Sequence, residues 1–380
     1  MSPDTMSSHA LVIHLCGRQT LPIYLIAKAT RAKYRLLLCS EETSSIANHI
    51  LQNIDEEYGS TMQISPYDIV KTQRNIMDTV SGIGASAICC DITGGTKLMA
   101  VALLQLSIQN NWACVYLDST HRELIWLSQN GKRTPYPTTI SSITPFIRLT
   151  GECIVERHTH QELLNKLPQR KHLTHHLFLN SALANRITQK ALKVDDRNHF
   201  KISNNRFFAK VSLARAEITI DGIAYELENT TDVYHYLTGG WLEEYCAMQL
   251  LAAHEKRLIY DLSMNVKTSA HQQPQSQYPS KKNIFQEMDI CFTDGYQLYL
   301  LEVKSGAVTQ EQIQKLENLT QRYGGAMGRA FIVSNFQLWT TSKAHQRIQR
   351  SSVLTGIHGS ALKNLYHHIS NSRPGEVINR

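Results

Sequence analysis

The sequence predicts an α/β fold: a parallel-sheet domain in front, a small connector, and a second α/β domain behind. Three observations carry that expectation. Strand-length apolar runs alternate with helical patterns from residue 10 to about 127. A glycine turn, Asp91-Ile-Thr-Gly-Gly-Thr-Lys97, joins one such run to a helical pattern. Two further strand patterns, over residues 284–292 and 296–306, meet at Asp294-Gly295, a strong hairpin-turn signal.

In the first domain the expected strands are Ala10–Cys16, Tyr34–Cys39, Ala85–Asp91 and Trp112–Asp118. The expected helices are Leu21–Lys33, Ser44–Tyr58, Tyr67–Val80 and Leu98–Gln109. The strands are continuously apolar rather than alternating, which marks strands buried on both faces: a parallel sheet with helices on either side. That is a Rossmann-like layering, and ligands of such sheets bind beyond the carboxyl ends of the strands. Three loops lie there: Gly17-Arg-Gln-Thr20, Thr93–Lys97 and Ser119-Thr120. The middle loop suits an anion. A helix N-terminus offers unpaired N–H groups and a positive dipole end. Gly94 and Gly95 let backbone approach closely, Thr96 is placed to cap, and Lys97 adds a charge. The order is Gly-Thr-Lys and no earlier glycine stands at P-loop spacing, which disfavours an NTPase; the first loop lacks GxGxxG, which disfavours a dinucleotide.

Residues 128–145 are rich in Pro, Ser and Thr and mark a boundary. From 146 to about 230, helical patterns (Gln161–Leu167, His175–Lys193) precede two alternating runs, Arg206–Ala214 and Glu217–Leu227, that suggest a hairpin. His172, His175 and His176 invite a metal, but no carboxylate or cysteine stands at ligand spacing, so a solvated histidine cluster is expected. The whole chain, at 380 residues and 42% apolar, is long enough for two or three globular domains. A net charge of +7 favours polyanionic partners. The eight cysteines are scattered with no CxxC pair, as expected of reduced thiols in a cytoplasmic protein. No apolar run is long enough to span a membrane, and the first residues carry no signal-peptide pattern.

The second domain opens with Gly239-Gly240 and a helix in which Leu242, Cys246 and Leu250 recur at helical spacing. A strand pattern over 258–266 and a polar loop over 267–283 follow. If Asp294 and Gly295 are the two turn residues of the hairpin, Phe292 pairs with Gln297, Asp289 with Leu300 and Glu287 with Glu302. Paired residues share a face and side chains alternate, so Glu287, Asp289, Glu302 and Lys304 project together. Glu287 opposite Glu302 would destabilise the pairing unless a divalent cation and Lys304 compensate. Carboxylates and a lysine on one sheet face, beside a helix bearing Glu243-Glu244, have the composition of a hard-metal hydrolytic site.

The Asp91–Lys97 turn in its Rossmann-like setting resembles the CARF domain, the sensor of cyclic oligoadenylates in type III CRISPR defence. The Asp289…Glu302-x-Lys304 pattern behind a glutamate-bearing helix resembles a PD-(D/E)xK, restriction-endonuclease-like core. Their order resembles the two-domain CARF nucleases activated by cyclic tetra-adenylate. The resemblance divides the chain into a sensor (8–127), a connector (128–234) and a nuclease (235–380). It implies ligand contacts at Gly17, Gln19, Thr20, Thr93, Gly94, Gly95, Thr96, Lys97 and Ser119. It also implies a catalytic set of Asp289, Glu302, Lys304 and a helix glutamate, Glu243 or Glu244. Glu243 is preferred because it shares a helix face with Ala247 and Leu250. Mn²⁺ or Mg²⁺ would be held by Asp289, Glu302 and Glu243. Cyclic tetra-adenylate would be the allosteric activator, and DNA, RNA or both the substrate. The two-fold symmetry of such a ring implies a homodimer, which would bring two copies of Lys97 to it. The competing expectation is a CARF-type regulator that senses a ligand and binds nucleic acid without cutting it.

Overall fold

The computed structural model describes residues 8–54, 58–213, 215–228, 230–270, 285–335 and 342–378. All counts below are of these residues. The first domain runs β1 (Ser8–Leu15), α1 (Leu21–Ala29), β2 (Arg31–Cys39), α2 (Ser44–Asn53), β3 (Gly59–Gln63), α3 (Ile69–Ile83), β4 (Ile88–Asp91), α4 (Lys97–Gln109), β5 (Ala113–Asp118), β6 (Glu123–Trp126) and β7 (Lys132–Pro135). These strands form one sheet in the order β3-β2-β1-β4-β5-β6-β7. β3 to β5 are parallel; β6 and β7 are antiparallel additions. The expected parallel sheet is present and extends past residue 127 through β7. Leu11, Val12, Ile13 and Leu36 to Leu38 are almost fully buried, as continuous apolar strands require.

The chain continues through α5 (Thr144–Arg148), β8 (Glu152–Thr159), α6 (His160–Leu179), α7 (Ser181–Ala191), β9 (Phe200–Asn204), β10 (Phe207–Ser212), β11 (Arg215–Ile220), β12 (Ile223–Glu228) and α8 (Thr230–His235). β9 to β12 are a four-stranded antiparallel meander. The expected single hairpin is therefore two of its three turns. Asp221, at the β11–β12 turn, holds the left-handed φ of 50° that such a turn demands. The histidine cluster is only partly solvated: His172 and His175 are exposed, whereas His176 bonds Tyr225 Oη at 3.0 Å and Asp221 Oδ2 at 3.2 Å.

The last domain comprises α9 (Trp241–Glu255), β13 (Tyr260–Ala270), β14 (Gln286–Thr293), β15 (Leu298–Lys304), α10 (Gln310–Gly324), β16 (Arg329–Ser334), α11 (Lys343–Arg350), β17 (Leu354–His358), α12 (Leu365–Asn371) and β18 (Val377–Ile378). Its sheet runs β18-β17-β16-β15-β14-β13-β8, so the connector donates an edge strand to it. The polar stretch expected as a loop from 267 begins later, because Lys267–Ala270 complete β13. Residues 271–284, which hold the rest of that polar stretch, lie outside the described residues.

Two cores cross the domain boundaries. One joins α6, α7, the inner face of the meander and α9 to one face of the last sheet, through Ile218, Leu242, Leu301 and Phe331. The other joins α1, α2 and α5 to the opposite face, through Ile26, Phe146, Leu300 and Leu316 of α10.

Candidate functional site

At the carboxyl edge of the first sheet, β1 and β4 lie side by side, and the loops that follow them touch. A Cβ on Gly94 would stand 2.0 Å from the Leu15 carbonyl oxygen, and one on Gly17 would stand 3.0 Å from Gly95 N. The glycines expected to admit a ligand are thus first required to let the two loops pack on each other. Gly95 also takes a φ of 73°. Thr96 caps α4, accepting from Met99 N at 3.2 Å and donating to Pro66 O at 2.9 Å. Thr93 Oγ1 accepts from Leu117 N at 2.9 Å, tying the turn to β5. Lys97 is exposed at the first position of α4, and Gln19 and Ser119 are exposed on the same edge.

Beneath this turn lies a polar network that sequence reasoning missed. Asp91 Oδ1 accepts from Thr93 N at 2.9 Å, and Oδ2 lies 3.0 Å from His14 Nδ1. Arg35 Nη1 is 3.2 Å from His14 Nε2, and the guanidinium also donates to the carbonyls of Ala27 and Thr30. Arginine can only donate, so Nε2 accepts and the imidazole's own hydrogen sits on Nδ1, pointing at Asp91. All three side chains are fully buried. A buried charge needs such partners, and the network therefore fixes the carboxylate that holds the turn. The signal was in the sequence: His14 and Arg35 interrupt otherwise apolar strand runs.

In the last domain the hairpin's register differs from the expected one by two residues. Thr293 pairs with Leu298, Phe292 with Tyr299 and Ile290 with Leu301. The turn spans Asp294–Gln297, because Asp294 Oδ1 accepts from both Tyr296 N and Gln297 N at 3.0 Å. A shift of two leaves every face unchanged and changes the partners. Past its last pair, Ile290–Leu301, the same offset sets Asp289, and not Glu287, beside Glu302. Glu287 is instead half exposed, 4.0 Å from Lys267. Lys304 Nζ lies 3.2 Å from Asp289 Oδ2 and 2.7 Å from Glu302 Oε1. Asp289 Oδ2 also accepts from Val303 N at 2.7 Å.

The electrostatics are those of crowded acids. Burial first, and then Asp289, raise the Glu302 carboxyl above its ordinary value, while Lys304 opposes them. Burial alone would lower Lys304, but Asp289 and Glu302 outweigh it and hold its ammonium well above the usual range. Glu243, on α9, is pushed up to about 8, by burial first and by Asp289 second. Its Oε2 is buried with no hydrogen-bond partner. Glu244 points elsewhere: Oε1 takes Arg170 Nη1 at 2.9 Å and Lys166 Nζ at 3.5 Å, pinning α9 to α6. The two glutamates differ in their partners: Glu244 is paired with Arg170 and Lys166 of α6, whereas Glu243 makes no ion pair among the described residues and feels Asp289 as its main acidic neighbour.

The donor set is all carboxylate oxygen, which is what hard divalent cations take. Asp289 and Glu302 share Lys304 as their counter-charge, and Glu243 Oε2 is orphaned, so the chemistry of the three fits such an ion. Among the described residues, no three His, Cys, Asp or Glu side chains already converge on one point.

The two halves also match known families. Residues 11–144 match the family model described as the Card1 CARF domain, and residues 230–373 the Card1-like endonuclease domain. Can2 from Sulfobacillus thermosulfidooxidans, solved in complex with cyclic tetra-adenylate, is similar at 18% identity and a TM-score of 0.73, with 96% of this chain and 98% of that one covered. Protein VC1899 from Vibrio cholerae is similar at 16% identity and a TM-score of 0.68, covering 94% and 97%. A type III CRISPR defence DNA nuclease activated by cyclic oligoadenylate aligns at 16% identity and a TM-score of 0.51, over 88% of this chain and 46% of that one. No curated protein matches the sequence.

Proposed function

Because the chain belongs to the two-domain CARF nucleases, with a Card1 CARF domain before a Card1-like endonuclease domain, we propose that it is a nuclease of type III CRISPR defence switched on by a cyclic oligoadenylate. The activator we favour is cyclic tetra-adenylate, the ligand of the similar Can2 structure. The observation that carries the catalytic half is the hairpin: Asp289 and Glu302 lie on one sheet face, bridged by Lys304 within 3.2 Å of both.

Asp289, Glu302 and Glu243 are the residues that would hold Mg²⁺ or Mn²⁺. When bound, such an ion supplies a more acidic water and neutralises charge at the scissile phosphate. Lys304 is anchored between the two strands, so its ammonium is already oriented when negative charge builds on the phosphoryl oxygens. Burial and Asp289 favour the protonated form of Glu243, and a cation held there would favour its carboxylate. Asp289 is fixed by Val303 N, which keeps one oxygen in place without using the other. Glu244 serves the architecture through Arg170.

On the sensor side, we assign the activator's phosphates to Gly17, Gln19, Thr20, Thr93–Lys97 and Ser119, with Lys97 as the principal charge. A homodimer is supported by α4, which leaves Leu98, Val101 and Ile108 at least 40% exposed at helical spacing beside Lys97, with Tyr67 and Val70 exposed ahead of and on α3. Pairing over this stripe would bring two Lys97 ammonium groups to one ring. A cytoplasmic location fits eight free cysteines, seven of them buried, and no described helix is long and apolar enough to cross a membrane.

The test is incubation with plasmid, single-stranded DNA and RNA, with Mn²⁺ or chelator, and with or without cyclic tetra-adenylate. Cutting only when ion and activator are both present is expected. Binding that survives the chelator, with no cutting under any condition, would instead mark the ligand-sensing regulator.

A further inference from the structure

A cavity of about 950 Å³ lies between the connector and the last domain, outside both sites above. One wall is α7, with Asn185, Arg186 and Lys190; the other is the β9–β10 turn around Asn205 and Arg206. Its remaining edge is Ser305-Gly306-Ala307, the segment that directly follows Lys304. The lining holds three cations, Arg186, Lys190 and Arg206, and no carboxylate. Arg206 is matched by Asp221, which binds its Nε at 2.6 Å and Nη2 at 2.7 Å. Lys190 donates to the neutral Ser203 carbonyl and keeps its charge uncompensated. Arg186 is exposed and makes no ion pair or hydrogen bond among the described residues. Asn185 Oδ1 is buried without a partner.

The cavity is mechanically tied to the carboxylate cluster at both ends. Thr188 Oγ1 donates to Leu237 O at 3.1 Å, fixing α7 to the segment that enters α9 and Glu243. Ser334 Oγ donates to Gly306 O at 3.3 Å, fixing the loop after Lys304. A Cβ on Gly239 would stand 3.3 Å from Ser305 Oγ, so the two walls meet closely there. A polyanion seated against Arg186 and Lys190 would therefore run toward Lys304 along a rigid edge.

We propose that this cavity cradles the phosphate backbone of a nucleic acid leading to the Asp289–Glu302 cluster, with Arg186 and Lys190 of the connector as its phosphate contacts; the inference rests on the nuclease reading of that cluster. Sequence tolerance follows from composition: the lining offers cations and the amides of Asn185, Gln189, Asn204 and Asn205, and no aromatic stacking platform.

The experiment uses the full chain with cyclic tetra-adenylate and chelator, so that binding is read without cutting. A labelled single-stranded oligonucleotide is titrated against wild type, Arg186→Glu, Arg186→Lys and the Arg186→Glu/Lys190→Glu double variant over a range of salt. Arg186→Glu is expected to weaken binding about tenfold or more and to flatten the salt slope by about one, with Arg186→Lys close to wild type. Unchanged affinity and slope in Arg186→Glu overturn the proposal. Cleavage assays with Mn²⁺ separate the two layers. Wild type that binds through Arg186 yet never cuts leaves the cradle standing and removes the nuclease reading. Wild type that cuts, with an Arg186→Glu KM equal to its own, removes the cradle alone.

Discussion

Lys304 is the nearest cation to a group of carboxylates that burial and mutual repulsion both disfavour, so its neighbours differ in what they contribute to stability and to chemistry. Glu302 is 6% exposed with a raised pKa, which means that its ionised form is held at a cost. Glu302→Gln should abolish cutting, by at least ~10²-fold, and leave binding of labelled cyclic tetra-adenylate intact. In chelator it should also raise the melting temperature, a gain of ~1 kcal/mol being worth about 2–4 °C in a domain of this size. Lys304→Met should lose cutting equally but shift melting the other way, because Asp289 and Glu302 then face each other without a counter-charge. Melting shifts of the same sign in both variants would contradict the assigned charge balance; near-normal cutting in either would remove it from the chemistry. At the sensor turn the contrast is steric against electrostatic. Gly94→Ala drives a methyl into the Leu15 carbonyl and should destabilise the sensor by about 1–3 kcal/mol or more. Lys97→Ala touches nothing structural and should only raise the activator concentration needed for cutting. An unchanged dose curve together with unchanged activator binding would dismiss Lys97 as a phosphate contact.

Elements were legible from the sequence to the degree that burial wrote itself into their composition. β1, β2, β4 and β5 are sandwiched between helices, so their apolar runs are continuous and stand out. β3 is an edge strand whose residues alternate between exposed and half-buried, and its sequence, Gly-Ser-Thr-Met-Gln, carries no such run. β8 is likewise a polar edge strand, Glu-Cys-Ile-Val-Glu-Arg-His-Thr, recognisable only once β13 is beside it. The predicted face of Asp289, Glu302 and Lys304 survives in the structure although the predicted partners do not. The period of two fixes the face, whereas the turn's hydrogen bonds, here made by Asp294, fix the register. The internal face of α4 was legible for the same reason, and its outer face makes a separate prediction. Leu98, Val101 and Ile108 are apolar yet exposed, so replacing Val101 and Ile108 with Glu should cost the fold little. Sedimentation should then show wild type as a dimer and the double variant as a monomer with weakened response to activator. A variant that sediments as a dimer would place the interface elsewhere.

Across the whole molecule, the first domain and the hairpin that bears Asp289 and Glu302 meet at a few polar groups just past the β5 loop. β5 ends at Asp118, whose carboxylate is brought down to about 2, chiefly by His121. It accepts from Thr120 N, His121 N and Arg133, which stiffens the loop that carries Ser119. Three residues past Ser119, Arg122 adopts a left-handed φ of 58° and places Nη2 2.6 Å from Asp294 Oδ2, in the turn between the two strands that bear Asp289 and Glu302. The Arg122 guanidinium also lies 5.1 Å over the Tyr296 ring, which meets Tyr136 edge-on, and Ile140 N donates to Gly295 O at 2.7 Å. A ligand shifts a conformational equilibrium only through contacts that differ between the two states. This seam is the described polar contact through which a change at Ser119 would reach the hairpin. A partly exposed pair of this kind contributes about 1 kcal/mol to stability, so its loss should leave the fold intact. Coupling energies between sites are typically ~1–3 kcal/mol, so the same loss should be visible in activation. Arg122→Ala is therefore expected to bind labelled activator as wild type does while needing more of it to cut, or reaching a lower plateau. Asp294→Asn keeps the Oδ1 acceptor that holds Tyr296 N and Gln297 N but removes the charge, which makes it the cleaner partner for a double-mutant cycle. If the two side chains act as one contact, Arg122→Ala/Asp294→Asn should respond to activator no worse than Arg122→Ala alone. Full activation of Arg122→Ala at the wild-type dose would show that the signal passes through the shared apolar core around α5 and α10 and not through this pair.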